Sequence, residues 1–311
     1  MNVALIGYGE VGRILAEDLL AAGHRVTAFD LKLGRTEGAA MREHATRCGT
    51  VLADSHASAV SDAGLVVSAV TASQAVCVAE ASARALPAGA LYLDLNSASP
   101  GAKIRAAALV EASGGRYVEG AVMTSLPPYR SRVPLLLGGP NAAVLEPLLH
   151  ELGFAGAKVA SDTLGVASAT KMCRSVMIKG LEAMVIESFT AARAHGVEDA
   201  VIASLHETFP GIDWEKQASY FFQRAIEHGR RRAEEMREVA VTVKEAGLDA
   251  FSAAGTADRQ AQVADLADAG AFGIRGEPGF ARSADWRTEA DRLLAQPSPQ
   301  PSPAGGRGGT T

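Results

Sequence analysis

Cysteine is scarce in this chain: Cys48, Cys77 and Cys173 are an odd number with no CxxC spacing. Neither a disulfide framework nor a cysteine zinc cluster is suggested, and a reducing compartment suits the composition. The seven histidines show no spacing that would gather a Cys/His/Asp/Glu cluster, so no metal is expected. Basic excess is missing too, with 30 Lys and Arg against 35 Asp and Glu, which removes nucleic acid from the expected partners. No apolar run approaches the roughly 18 residues of a membrane span. Strand-like sequence begins at Val3, leaving no room for a signal peptide. A cytoplasmic protein without a membrane partner is therefore expected. No repeat with a period of roughly 20 to 50 residues is visible, which argues against a solenoid or propeller. What is left is a chain of 311 residues, one large or two ordinary domains, able to bury about 75% of its unfolded surface.

The start of the chain carries the strongest positive pattern. Val3-Ala4-Leu5-Ile6 is a short apolar run, Gly7-Tyr8-Gly9-Glu10-Val11-Gly12 follows at once, and an amphipathic stretch ends at Gly23 before Val26-Thr27-Ala28-Phe29-Asp30. This predicts strand, glycine turn, helix, strand. In such a unit Gly7 makes the tight turn, Gly9 lets the backbone approach a pyrophosphate, and Gly12 allows close helix-to-strand packing. The pyrophosphate would sit at the helix N-terminus by Tyr8, Glu10 and Val11, where backbone N–H groups and the dipole favour an anion. Asp30 ends the second strand, where a carboxylate can accept hydrogen bonds from an adenosine ribose. A 2′-phosphate about 4 Å from it would be repelled by about 4 kcal/mol per charge pair at an effective dielectric near 20. NAD is thus the favoured cofactor. Lys32 and Arg35 leave NADP open, since either could pair with a phosphate if the loop turned inward.

Apolar runs at 51–53, 65–70 and 91–94 alternate with helical segments, which implies a doubly wound, mainly parallel sheet. Ligands bind at the carboxyl ends of such strands, so the candidates are Val70, Thr71 and Ser73, then Asn96, Ser97 and Ser99, then Met123, Thr124 and Ser125. Two further strand candidates, 117–122 and 133–137, bracket a loop over 126–132 in which Pro127 and Pro128 exclude regular structure. From about Leu164 strand-like runs vanish and helical periodicity lasts to about Leu294. The expected organisation is an α/β Rossmann domain over 1–163, an all-α domain over 164–294 and a disordered Pro/Ser/Gly tail over 295–311.

A nicotinamide enzyme also needs a proton donor and acceptor. A Tyr-x-x-x-Lys base is missing, since Tyr220 is followed four positions on by Arg224. Lys171 is the strongest remaining candidate. It shares one helix face with Ser175, Ile178 and Glu182 at i, i+4, i+7 and i+11. On an apolar interdomain face desolvation would lower its pKa, and a lysine brought to about 7 to 8 works as a general base. By spacing alone, however, a helix-surface lysine is ordinarily just solvated.

Three motifs in order, GYGEVG, then DLNSASP at 94–100, then GxxxxxK from Gly165 to Lys171, resemble those of the β-hydroxyacid dehydrogenase family, which includes 3-hydroxyisobutyrate and 6-phosphogluconate dehydrogenases. The resemblance spans residues 1–195, and beyond them only the helical character. It implies that the glycine motif binds NAD(P), that the segment holding Asn96 and Ser97 lies near nicotinamide and substrate, and that Lys171 is the general acid/base. The family's Pro-Val-Ser-Gly-Gly segment, which holds the substrate carboxylate, is Ala121-Val122-Met123-Thr124-Ser125 here, and the asparagine expected after the lysine is Ser175. The Cβ atoms of Thr124 and Ser125 deny the approach that two glycines permit, so substrate recognition is rebuilt. Arg130, Arg132, Arg174 and Lys179 are available to an anionic small-molecule substrate.

In the helical region Arg230 with Glu234 and Arg231 with Glu235 are i,i+4 pairs on an expected solvated face. The family's Lys-Asp-Leu helix is missing from this run. Met172, Met177, Met184 and Met236 are expected as core, and Phe221 or Phe222 as a subunit contact. The resemblance implies a homodimer or larger homo-oligomer and an NAD(P)-dependent dehydrogenase or reductase acting on a CH–OH group. The alternatives are imine reduction, against which the presence of Lys171 argues, and a nicotinamide-binding sensor or interaction protein without turnover.

Overall fold

The computed structural model describes residues 1–281, 283 and 285–296; the expected disordered tail lies, from 297 on, outside the described residues. The described residues pack as two units, Met1–Ile178 with Glu234–Ala257, and Lys179–Ala233 with those described from Asp258 to Gln296. Strands end before residue 164, but the first unit runs further because two long helices, α7 (Val166–His195) and α9 (Trp214–Glu245), each contribute to both.

The first unit alternates strand and helix: β1 (Asn2–Ile6), α1 (Glu10–Ala21), β2 (Arg25–Phe29), α2 (Ala39–Cys48), β3 (Val51–Leu52), α3 (His56–Val60), β4 (Leu65–Ser68), α4 (Ala75–Ala83), β5 (Leu91–Asp94), α5 (Pro100–Ala112) and β6 (Arg116–Val122). Then follow β7 (Leu135–Gly138), α6 (Ala142–Glu151) and β8 (Ala157–Ser161). The sheet order is β3-β2-β1-β4-β5-β6-β7-β8, parallel except where β6 meets β7. The order reverses between β1 and β4, which opens a crevice at the carboxyl ends of those strands. Successive residues of β1 serve opposite faces: Val3 and Leu5 pack with Leu15 and Leu19 of α1, while Ala4 and Ile6 pack with Val60, Val78 and Val110. The expected doubly wound α/β domain followed by helices is the one observed. Strand β8 escaped the sequence reading because Ala-Lys-Val-Ala-Ser has neither an apolar run nor strong alternation. The proline loop contains a 3₁₀ turn at Arg130–Arg132, so regular structure resumes directly after the prolines.

α7 enters the first unit with Met172, which packs on Met236 and Val239 of α9 and on Ala253 and Ala257 of α10 (Phe251–Asp268). Met177 and Met184 instead face outward, 70% and 61% exposed, which corrects the expectation that all these methionines fill core.

The second unit adds α8 (Glu198–Thr208) and α11 (Trp286–Leu294). Its core gathers Ile186, Phe189, Trp214, Phe222, Ile226 and Trp286, with the Trp286 ring 5.0 Å from that of Phe189. Phe221 and Phe222 are both buried here while Tyr220 is half exposed, so these phenylalanines build core and not a subunit surface. Arg230 and Arg231 are exposed, as expected of a solvated face, but Arg232 is not. Arg232 is 5% exposed and pairs through two nitrogens with the buried Glu182, which also accepts from Gln260 Nε2 at 3.2 Å. Arg230 pairs with Asp265 and Asp268 of α10, each at 2.7 Å, carboxylates that tertiary packing supplies. Among the described residues no helix is long and apolar enough to cross a membrane.

Candidate active site

The three glycines of the first turn have different physical reasons. Gly7 holds φ +98° and a Cβ on it would clash with the Ala69 carbonyl; a Cβ on Gly12 would clash with the Gly7 carbonyl. Both are required by the chain itself. Gly9 has φ −73° and nothing within 4 Å of where its Cβ would stand. It is also the N-cap of α1, and no side chain caps that helix. A helix N-terminus fronted by bare, open backbone fits a pyrophosphate. Glu10 is exposed and Val11 half-buried in the first turn, so both can present backbone N–H groups. Tyr8 is different. Its ring is fully buried, with Oη 2.9 Å from His44 Nδ1 and donating to Thr50 Oγ1 at 2.9 Å, and its N–H donates to Asp30 Oδ2 at 2.9 Å. Asp30 Oδ1 accepts from Lys32 N–H at 2.9 Å, so the carboxylate is held by two backbone donors beside the glycine turn. Lys32 and Arg35 are exposed.

At the ends of β4 and β5 the structure brings Val70 and Asn96 together. Buried Asn96 accepts from Val70 N–H at 2.6 Å through Oδ1 and donates from Nδ2 to Ser68 Oγ at 2.9 Å. Its side chain braces two loops as well as lying at the crevice; Thr71 follows, exposed. The β5 loop is anchored below by Asp94, which accepts from Asn96 N–H (2.8 Å) and Tyr117 Oη (2.7 Å) and pairs with Lys103 Nζ at 2.9 Å. All three side chains are buried. Burial, and next the Asp94 charge, hold the Tyr117 phenol well above its ordinary range, so it remains a donor. Lys103 was not visible as a partner because a lysine in an alanine-rich helix has the pattern of a surface residue. The same loop is fixed from α9: Glu238 Oε2 accepts from Ser99 N–H at 2.9 Å, and Glu245 accepts from Ser99 Oγ at 3.0 Å and Gly101 N–H at 3.1 Å. Ser73 Oγ donates to Glu234 at 2.8 Å.

α7 is anchored at its start by Glu119 of β6, which accepts from Ala167 N–H at 2.9 Å and Ser168 Oγ at 2.8 Å. A Cβ on Gly138 would clash with this carboxylate, so bare backbone on β7 makes room for it. Sequence reasoning missed Glu119, although an acid inside the apolar strand Arg-Tyr-Val-Glu-Gly-Ala-Val was a usable signal. One turn beyond the anchor, half-buried Lys171 donates from Nζ to Ser97 Oγ at 2.6 Å. Residues 74 positions apart thus meet at the carboxyl end of β5. Arg174 reaches the Met123 carbonyl with Nη1 at 3.4 Å, Thr124 is exposed and Ser125 half-buried on the same loop, and Ser175 is buried one turn after Lys171. An amine against a hydroxyl, beside an exposed guanidinium, can exchange a proton and attract an anion. Arg130 is elsewhere: it pairs with Glu17 and Asp18 of α1, at 2.7 Å each, and its charge is spent there.

Residues 2–159 match the NAD binding domain of 6-phosphogluconate dehydrogenase, and residues 192–263 match a domain of unknown function, DUF1932. The chain is 26% identical to 3-hydroxyisobutyrate dehydrogenase of Pseudomonas aeruginosa over 68% of its own length and 71% of that protein's. A conserved hypothetical protein of Sinorhizobium meliloti is 35% identical, with a TM-score of 0.72 over 94% of this chain and 97% of that one. The structure of Mycobacterium tuberculosis 3-hydroxyisobutyrate dehydrogenase has the same fold at 18% identity, with a TM-score of 0.70 over 94% of this chain and 99% of that one. The chain therefore belongs to the family built on the NAD binding domain of 6-phosphogluconate dehydrogenase, that of the NAD(P)-dependent, hydroxyacid-dehydrogenase-like proteins.

Proposed function

We propose that the protein is an NAD-dependent oxidoreductase acting on a β-hydroxy acid or the matching carbonyl compound, with Lys171 as its general acid/base. The observation that carries this reading is the 2.6 Å pairing of Lys171 with Ser97. Gly9 and the start of α1 would hold the pyrophosphate, Asp30 the ribose, and Val70, Thr71 and Asn96 line the same end of the sheet. When bound, the nicotinamide supplies the hydride acceptor or donor. In oxidation the substrate hydroxyl gives its proton to neutral Lys171 as hydride leaves the carbon; in reduction the protonated amine gives it back. Ser97 positions the amine, and Ser175 is its polar neighbour one turn on. Arg174, Thr124 and Ser125 offer donors to a carboxylate, and Asp30 favours NAD over NADP by charge.

The test is NADH absorbance over a panel of β-hydroxy acids with NAD and carbonyl compounds with NADH, in wild type and Lys171→Ala. Loss of about 10²-fold or more in turnover is expected for a removed general acid/base; unchanged turnover would sink the mechanism. Met123 and Ser175, where the family carries serine and asparagine, favour a second reading as a nicotinamide-binding protein without turnover. NADH binding with no redox change on any panel member supports that one.

A further inference from the structure

We propose that Glu17, His44 and Cys48 form a binding site for a divalent transition-metal ion of the zinc type, where α1 packs on α2. His44 and Cys48 stand one turn apart on α2 and share a face. Glu17 comes from α1. Their ligand atoms converge: His44 Nε2 is 2.9 Å from Glu17 Oε1 and 3.7 Å from Cys48 Sγ, and all three lie within 4.8 Å of one another. Zinc bonds of about 2.0 Å to nitrogen and oxygen and about 2.3 Å to sulfur set tetrahedral ligand atoms about 3.3 to 3.6 Å apart. Side-chain movements of about 1 Å by the part-exposed Glu17 and Cys48 would close the set.

The surroundings are those of a prepared ligand set. Buried His44 has Nδ1 2.9 Å from Tyr8 Oη, and the Tyr8 hydroxyl donates onward to Thr50 Oγ1. In the tautomer with its proton on Nδ1, toward Tyr8, the Nε2 lone pair is aimed at Glu17 Oε1. A cation between that lone pair and the carboxylate oxygen completes the arrangement, whereas in the other tautomer Nε2–H donates to Glu17 and no ion is needed. The first is the pattern of metal-ligating histidines, whose other nitrogen is held by an outer partner. Glu17 Oε2 meanwhile accepts from Arg130 Nη2 at 2.7 Å, and Arg130 Nε pairs with Asp18. Glu17 thus has one oxygen fixed by Arg130 and the other turned to His44. With Cys48 as thiolate, Glu17, Asp18 and Cys48 carry three negative charges against one on Arg130, leaving two for a dication. Binding forms one metal–sulfur bond and releases the thiol proton to solvent, with no electron transferred. Because Tyr8 belongs to the glycine turn, the ion braces that turn from below. The site does not depend on the assignment of Lys171.

The experiment uses the full chain carrying Cys77→Ser and Cys173→Ser, which removes the exposed thiols. Cobalt(II) is titrated while the thiolate-to-metal charge-transfer band is followed, and thermal midpoints are measured with and without zinc. The expected result is saturation at one equivalent, displacement of cobalt by zinc, a raised midpoint with zinc, loss of the band in Cys48→Ser and affinity weakened at least about tenfold in Glu17→Gln. Circular dichroism checks that each variant is folded. Absence of the band, or a band that survives Cys48→Ser, overturns the proposal and leaves His44 Nε2 as a hydrogen-bond partner of Glu17 and not a ligand.

Discussion

A methyl group separates two kinds of glycine in the first turn. Gly12→Ala would drive a Cβ into the Gly7 carbonyl, and overpacking of backbone costs about 3 kcal/mol, so its thermal midpoint should fall markedly. Gly9→Ala meets nothing. Its midpoint should hold while NADH affinity, measured by fluorescence titration, drops at least tenfold (about 1.4 kcal/mol) if the open space there is for pyrophosphate. Equal affinity in Gly9→Ala would remove the argument from that glycine. Arg130 offers a second test. It holds φ +54°, a conformation uncommon outside glycine, between two α1 carboxylates. Glu17 is lowered by its bonds from Arg130 and His44. Burial alone would raise Asp18, but bonds from Ser131 N–H and Arg130 outweigh it and the net shift is downward. A carboxyl whose native pKa lies below its unfolded value stabilises above the unfolded pKa and loses that contribution as pH falls through the native one. Arg130→Ala should therefore cost about 1 kcal/mol at pH about 7, screening by solvent included, and the gap to wild type should shrink as pH falls below about 4. Urea midpoints across that range decide it; a constant gap would mean that Arg130 acts through packing alone.

Among the elements, α9 has the least obvious task. Glu238 and Glu245 accept from the N–H groups and hydroxyl at the start of α5, where carboxylates also meet the favourable end of the helix dipole. They hold the loop that carries Ser97 against Lys171. Glu238→Gln and Glu245→Gln should each lower stability by about 1 kcal/mol, and the double variant should lose turnover more than NADH affinity. A double variant with wild-type turnover would show that β5 holds Ser97 unaided, through Asp94. The spacing of these acids on one face is visible in the sequence, but the α5 terminus they meet lies more than a hundred residues earlier. Periodicity reports which residues share a face, never what that face meets.

At the scale of the molecule, Met177 and Met184 are two turns apart on one face of α7 and both open to water. Contiguous exposed apolar patches mark contact surfaces, whereas single exposed side chains are ordinary. The homodimer or larger assembly that the resemblance implies would, if it used this face, lose molar mass in light scattering on Met184→Glu; a wild-type chain that is monomeric at working concentration would end the expectation of an assembly.

Local physics carried the sequence a long way. Alternating apolar runs and the glycine turn determined a doubly wound α/β domain, because the periods of strand and helix and the steric freedom of glycine act within a few residues. Motif order likewise singled out Lys171, Ser97 and Asn96. Tertiary structure alone decided which carboxylate anchors α7, why Asn96 braces two loops, that Arg130 and Arg232 end in ion pairs, and that Glu17 meets His44 and Cys48. A side chain's charge and size are written at its own position, whereas its partners are set by which segments the fold lays side by side.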